Sequence, residues 1–226
     1  MWYFIAKYVL IGPLLWLLTR PRVVGREYVP ADGPVIVAAN HCAFIDSLLL
    51  CLVIRRRVTF VAKTEYFDRP GRRGALQRWF FTAVGQIPID RRGGDRSGDA
   101  LTTAAQVLAD GGVWAIHPEG SRSNDGRVHR GRTGAMRMAE MTGAPVVPIA
   151  LRGTAAVNPP GRRLLVPGRV AVVVGRPLSV DVESAGPRAA TDRLMTELAA
   201  LAALPYVDEY VSKAERDVGI RRRGPS

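Results

Sequence analysis

Apolar residues arrive in short bursts along this chain, and that rhythm limits the fold more than any other feature. Runs rich in valine, isoleucine and alanine occur at Val35–Ala39, Val58–Ala62, Gly85–Ile89, Val113–Ile116, Val146–Leu151 and Val170–Val174, most of them bounded by glycine, proline or charge. Runs so short and so continuously apolar suit strands buried on both faces, because a sheet with one wet side would alternate apolar and polar residues. Elsewhere the spacing takes a helical period, over Ser47–Ile54, Ala75–Val84, Ser97–Ala109, Gly134–Thr142, Ala189–Leu204 and Val207–Val218. Strands alternating with helices predict an α/β fold, a single domain with a mixed, largely parallel central sheet flanked by helices. Arg69–Gly74, Arg91–Gly98 and Val157–Gly168 read as loops of that domain.

Residues 2–18 are apolar apart from Lys7 and are broken by Gly12-Pro13, where a kink is expected. The uncharged run from Tyr8 to Thr19 is shorter than the roughly 20 residues of a spanning helix. Arg20, Arg22 and Arg26 follow the apolar run, the reverse of a secretory signal. Trp2, Tyr3, Tyr8 and Trp16 with trailing arginines suit an N-terminal helix lying in the headgroup layer; packing on the domain's own core is the alternative. The expected division is a membrane-interface helix over 1–22, a domain over 23–220 and a disordered tail over 221–226.

The formal charge of +12 favours an anionic partner: phospholipid, a phosphate-bearing substrate or nucleic acid. Only Lys7, Lys63 and Lys213 are lysines, so most of the positive charge is arginine, which grips phosphate with two parallel bonds. Cys42 and Cys51 make neither a disulfide framework nor a metal-ligand pattern, which implies a reducing compartment and a packing role for both.

Four segments carry chemistry. After the first run comes Asn40-His41-Cys42-Ala43-Phe44-Ile45-Asp46, with an aspartate five residues past a histidine, close enough for a turn to bring the carboxylate onto the imidazole. Asp46 acting only as a helix cap is the plain alternative. After Val113–Ile116 stands His117-Pro118-Glu119-Gly120-Ser121-Arg122-Ser123, a glycine, a hydroxyl and an arginine suited to cradling phosphate. Between them lies Gly85-Gln86-Ile87-Pro88-Ile89-Asp90-Arg91-Arg92, and the fourth segment is Val146-Val147-Pro148-Ile149, sufficient as a core strand.

In this order the four segments resemble the glycerolipid acyltransferase family, which includes the lysophosphatidate acyltransferases. The first block matches Asn40, His41 and Asp46; the second, Gly85 to Arg91; the third, Pro118 to Ser123; the fourth, Val147, Pro148 and Ile149. Two departures stand out: His117 occupies a position that is usually aromatic in the family, and Arg130-Gly131-Arg132 stands where many members have a Lys-Gly step.

The resemblance implies that His41 takes a proton from a glycerol hydroxyl, that Asp46 orients and steadies it, and that the oxygen attacks a thioester carbonyl with no acyl-enzyme. Glu119, Gly120, Ser121 and Arg122 would hold the acceptor's phosphate with help from Arg91, while Asn40, Lys63 (within Lys63-Thr64-Glu65), Arg92 and Pro148 are further candidates. The expected reaction moves a fatty acyl group from acyl-CoA or acyl-carrier protein to lysophosphatidate, giving phosphatidate for phospholipid synthesis. Glycerol 3-phosphate or another lysophospholipid is the alternative acceptor. No cofactor or metal is called for, the expected partners are a phospholipid surface and the two lipid substrates, and nucleic acid is not expected. The expected location is the cytoplasmic face of the cell membrane, peripheral or monotopic. Two rivals are a metal hydrolase using His41, Asp46, His117 and His129, whose spacing fits no short metal motif, and a non-catalytic basic module binding membrane or nucleic acid.

Overall fold

A strand apolar on both faces must sit inside its sheet with helices on either side. The structure, a computed structural model, describes residues 2–63, 70–83, 85–89, 98–160, 162, 164–178 and 182–212. Its strands are β1 (Arg22–Val24), β2 (Val35–Ala39), β3 (Val58–Lys63), β4 (Gln86–Ile89), β5 (Val113–Ile116), β6 (Val128–His129), β7 (Val146–Arg152), β8 (Ala171–Val174) and β9 (Tyr206–Val207). A seven-stranded sheet has the order β1-β8-β7-β2-β5-β3-β4, and β6 pairs with β9 in a separate two-stranded sheet. Neighbours run parallel except at β7/β8. β2, β5 and β7 therefore end at the same edge, where α/β sheets bind ligands.

The helices are α1 (Trp2–Ile5), α2 (Gly12–Thr19), α3 (Asp46–Val53), α4 (Gly71–Ala83), α5 (Gly98–Ala109), α6 (Gly134–Thr142), α7 (Thr154–Val157) and α8 (Val182–Ala202), with a π-helical stretch at Ala6–Leu10. Side chains of β2 alternate between two cores. Val35, Val37 and Ala39 meet Leu49 and Leu50 of α3 with Tyr3 and Leu15 from the N-terminal helices. Ile36 and Ala38 face Leu108 of α5, Met136 of α6 and Leu194 and Met195 of α8. Each such aliphatic side chain contributes about 1.5–3 kcal/mol through removal from water.

The expected strands and most helices are present, with shifted ends. Three differences have physical reasons. β1 was not anticipated, because a three-residue edge strand with two exposed positions lacks a buried run. α8 starts before Ala189: the helical pattern extends to Val182 across a break at Gly186 (φ 75°, ψ 159°), and Pro187 opens the second segment. The helix expected over Val207–Val218 is not found through Ser212; Tyr206–Val207 instead pairs with Val128–His129, and 213–218 lie outside the described residues, as does the tail 221–226.

The N-terminal segment is helical, and its winding changes over the π-helical stretch Ala6–Leu10 and a bend at Ile11, directly before Gly12-Pro13. Pro13 has no N–H to give, and the Ile11 amide reaches back five residues to the Ala6 carbonyl at 2.8 Å, widening the turn. Gly12 lets the backbone close on itself there, since a Cβ would lie 1.7 Å from the Lys7 carbonyl oxygen. One face docks on the domain through Tyr3, Ala6, Lys7 and Leu15, with the Lys7 ammonium donating to the Ile54 carbonyl at the end of α3. Burial pushes Lys7 down to about 8. The outer face leaves Phe4, Tyr8, Val9, Leu10, Leu14, Trp16 and Leu17 exposed. Among the described residues no helix is long and apolar enough to cross a membrane.

Candidate active site

The chain leaves β2 at Ala39 and enters α3 at Asp46, and the six-residue turn between them is built around one carboxylate. Asp46 Oδ2 accepts from the Cys42 amide at 2.6 Å and the Ala43 amide at 2.7 Å, and lies 2.9 Å from His41 Nδ1. These amides precede Asp46, so the side chain closes its own turn and does not cap α3. Asp46 is fully buried and its Oδ1 has no hydrogen-bond partner among the described residues. Burial opposes the charge, yet the His41 hydrogen bond, the charge of His41 and the Ala43 amide prevail and hold the carboxyl below its ordinary range. With Nδ1 committed to Asp46, the one-fifth-exposed His41 side chain (19%) has Nε2 left for a partner.

The His117 ring stacks on His41 with centroids 4.0 Å apart and planes 10° from parallel, and Phe60 lies 5.7 Å beyond. His117 Nδ1 is 3.0 Å from the Ala39 carbonyl oxygen and 3.1 Å from that of Asn40, and Nε2 is 3.1 Å from the Ser47 hydroxyl.

Glu119 is buried at 2% exposure. Its Oε1 accepts from the His41 amide at 2.9 Å and its Oε2 from the His129 amide at 3.1 Å. Both oxygens thus accept from backbone amides. Burial outweighs those two bonds and pushes the carboxyl up to about 7. The next residues turn outward: Gly120 and Arg122 are exposed and Ser121 half-buried. Gly120 has a φ of +75°, and a Cβ there would meet Arg132 Nε at 2.8 Å, so its bareness lets the Arg132 side chain lie over the turn.

Arg130 and Arg132 both sit over the Tyr210 ring, 5.5 and 5.4 Å from its centroid. Arg130 has Asp208 as counter-ion at 3.4 Å. Arg122 and Arg132 form no ion pair among the described residues. His129 belongs to a separate network: its Nε2 is 3.1 Å from Asp125 Oδ2 and its Nδ1 3.2 Å from the Glu209 carbonyl. Ser123, Arg127 and His129 hold Asp125 well below the carboxylate range against its burial.

Asn40 donates to the Leu151 carbonyl at 3.0 Å and accepts from the Leu151 amide at 2.8 Å, a side chain acting as one more rung between β2 and β7. Asn40→Ala leaves both buried Leu151 groups unpaired and is expected to cost about 2–6 kcal/mol, read from urea unfolding, at about 1–3 per group. Pro148 is buried in β7 opposite Ala38, its carbonyl accepting from Gly175 at 2.8 Å. The Lys63 backbone ends β3 beside Ile89. Arg91 and Arg92, with Thr64 and Glu65, lie outside the described residues. The Cys42 thiol is pushed up to about 12 by burial and the charges of Asp46 and Glu119, which disfavours a thiolate nucleophile.

The first and third motifs thus meet at one end of β2 and β5, joined through Glu119 and His117, with β7 locked alongside by Asn40. The motif spacing did not disclose the His117 contacts, the Glu119 double clamp or Tyr210. In the sequence His117 stands out as a departure from an aromatic position and as one of the histidines open to a metal-hydrolase reading.

A family model described as Acyltransferase matches residues 20–152. A chloroplastic 1-acyl-sn-glycerol-3-phosphate acyltransferase of Arabidopsis thaliana is 32% identical over 159 residues, covering 70% of this chain and 43% of that protein. The Bacillus subtilis protein of the same name is 28% identical over 162 residues, covering 70% and 73%. The chain spans less than half the length of the plant and algal relatives that it matches. The crystal structure of the 1-acyl-sn-glycerophosphate (LPA) acyltransferase PlsC from Thermotoga maritima superposes with a TM-score of 0.65 at 27% identity, covering 83% of this chain and 74% of that one. The family match runs from β1 to the end of β7 and takes in both halves of the site; this chain belongs to the acyltransferase family.

Proposed function

We propose that the chain transfers a fatty acyl group from a thioester, acyl-CoA or acyl-carrier protein, to the free hydroxyl of lysophosphatidate, giving phosphatidate for phospholipid synthesis. The observation that carries this reading is the His41–Asp46 pair at 2.9 Å, partly open at the sheet edge where ligands of α/β proteins bind. His41 Nε2 takes the hydroxyl proton while the alkoxide oxygen bonds to the thioester carbonyl carbon. The C–S bond then breaks, and the thiolate recovers the proton from the imidazolium that Asp46 steadies. The acceptor named by the relatives is a glycerol phosphate monoester. Its phosphate is assigned to the outward edge of the third motif, at Gly120, Ser121, Arg122 and Arg132, with Arg91 as helper.

The exposed face of Phe4, Tyr8, Val9, Leu14, Trp16 and Leu17, followed by Arg20 and Arg22, fits a helix resting in the headgroup layer with cations on anionic lipid. The unit 1–22 is then a peripheral anchor at the cytoplasmic face, and lipid substrates reach the domain over 23–220 from the bilayer.

The test is thiol release from palmitoyl-CoA and from palmitoyl-acyl-carrier protein in mixed micelles, with lysophosphatidate, glycerol 3-phosphate or lysophosphatidylcholine as acceptor. Release that depends on lysophosphatidate supports the reading; release with no acceptor in the panel overturns it. Arg122→Ala and Arg132→Ala are each expected to raise the lysophosphatidate KM about tenfold, as loss of a charge-assisted bond of about 1.5–3 kcal/mol implies, with the donor KM unmoved.

A further inference from the structure

We propose that His117 is a positioning residue that brackets the His41–Asp46 turn, tying its two ends together through opposite edges of one neutral imidazole while its flat face sets the plane of the His41 ring. The inference rests on the reading of His41 as the base.

The turn starts after β2 and ends at α3, and His117 touches both sides of it. Nδ1 lies within 3.1 Å of the carbonyl oxygens of Ala39 and Asn40, which can only accept, so this nitrogen carries the hydrogen. Nε2 is then the acceptor in the neutral ring and takes the Ser47 hydroxyl hydrogen at 3.1 Å. A donor on one edge and an acceptor on the other is what neutral imidazole offers and what phenylalanine or tyrosine lacks. The stack against His41, at 4.0 Å and 10°, leaves the base little freedom to rotate. Geometry of this kind matters to rate, because misplacement of a catalytic group by about 1 Å can cost on the order of 10²-fold.

The charged and titratable groups facing His117 are His41 on its face and Asp46 beyond it. Burial and the charge of His41 disfavour a second proton on His117 and push it down to about 3, in keeping with a ring that stays neutral while its neighbour cycles.

The test reads the imidazole directly. In ¹⁵N-histidine-labelled full-length protein in detergent, with His117 assigned by comparison with His117→Phe, its nitrogens are expected to show a single Nδ1–H tautomer, unchanged from pH 5 to 9. Ser47→Ala is expected to shift the Nε2 resonance. In steady-state assays His117→Phe keeps the flat face and loses the bracket, so kcat is expected to fall about tenfold, and His117→Ala about 10²-fold, with both KM values within about twofold. An Nε2–H tautomer, titration within that pH range, a wild-type kcat in His117→Phe, or a change confined to KM would each overturn the proposal. The spectra need no turnover, so they judge the bracket even if acyl transfer is not the activity, and they also stand if His117→Ala does not fold.

Discussion

His41→Ala is expected to lower acceptor-dependent thiol release by about 10³-fold while leaving unfolding in urea nearly unchanged. A positioned general base contributes about 10²–10⁴ in rate. The structural loss is small, because the imidazole's bond to Asp46 is one of three that Oδ2 accepts and the two turn-closing amides remain. Asp46→Asn separates charge from geometry. An asparagine oxygen placed where Oδ2 now lies still accepts from Cys42, Ala43 and His41, so the ring keeps its tautomer and loses only the negative charge behind the imidazolium. About a 10²-fold fall in kcat is expected, with KM unmoved. A His41→Ala protein with more than a tenth of wild-type kcat would place the base elsewhere.

Glu119→Gln is expected to lower kcat by about 10²-fold and stability by about 1–3 kcal/mol. A carboxyl group can accept on both oxygens, ionised or neutral, as the His41 and His129 amides require; a carboxamide offers one oxygen and turns its NH₂ against the other amide. The KM for acceptor separates two roles: a backbone clamp leaves it near wild type, a phosphate contact raises it. The same carboxyl makes the clamp sensitive to pH. Its position at about 7 lies above the ordinary 4.5, so the folded protein holds this proton more tightly than the unfolded chain. Its stabilising contribution is complete below about 4.5 and is lost as pH rises through about 7, on the order of 3 kcal/mol in all. Urea unfolding at pH 5 and pH 8 checks this: the stability gap between wild type and Glu119→Gln is expected to narrow at pH 8. A gap that widens instead would show the carboxyl to be ionised already at pH 5.

What could be read from the chain beforehand follows the range of the interactions involved. Val35–Ala39 announced itself because a strand at the centre of a sheet is apolar on both faces, and the His41–Asp46 pairing because both partners lie in one turn. β1 was illegible: its hydrogen bonds are to β8, nearly 150 residues away, and two of its three side chains are exposed. Tyr206–Val207 pairs with Val128–His129, and this contact overrode a helical spacing that began at the same place. The phosphate role expected of Glu119 came from the family resemblance alone, and its place as a clamp was illegible because the amides it accepts from are 78 and 10 residues distant. His117 followed the same pattern, as its partners at Ala39 and Asn40 stand 78 and 77 positions away.

Those separations also set an order of events during synthesis. The His41–Asp46 pair lies within the first quarter of the chain, but the groups that hold it leave the ribosome much later: His117 and Glu119 first, then Leu151, which is 111 residues beyond Asn40. A nascent chain stalled before β7 carries His41 and Asp46 with no partner strand for Asn40. Competence should therefore appear abruptly once β7 has emerged and docked, and not grow in proportion to length.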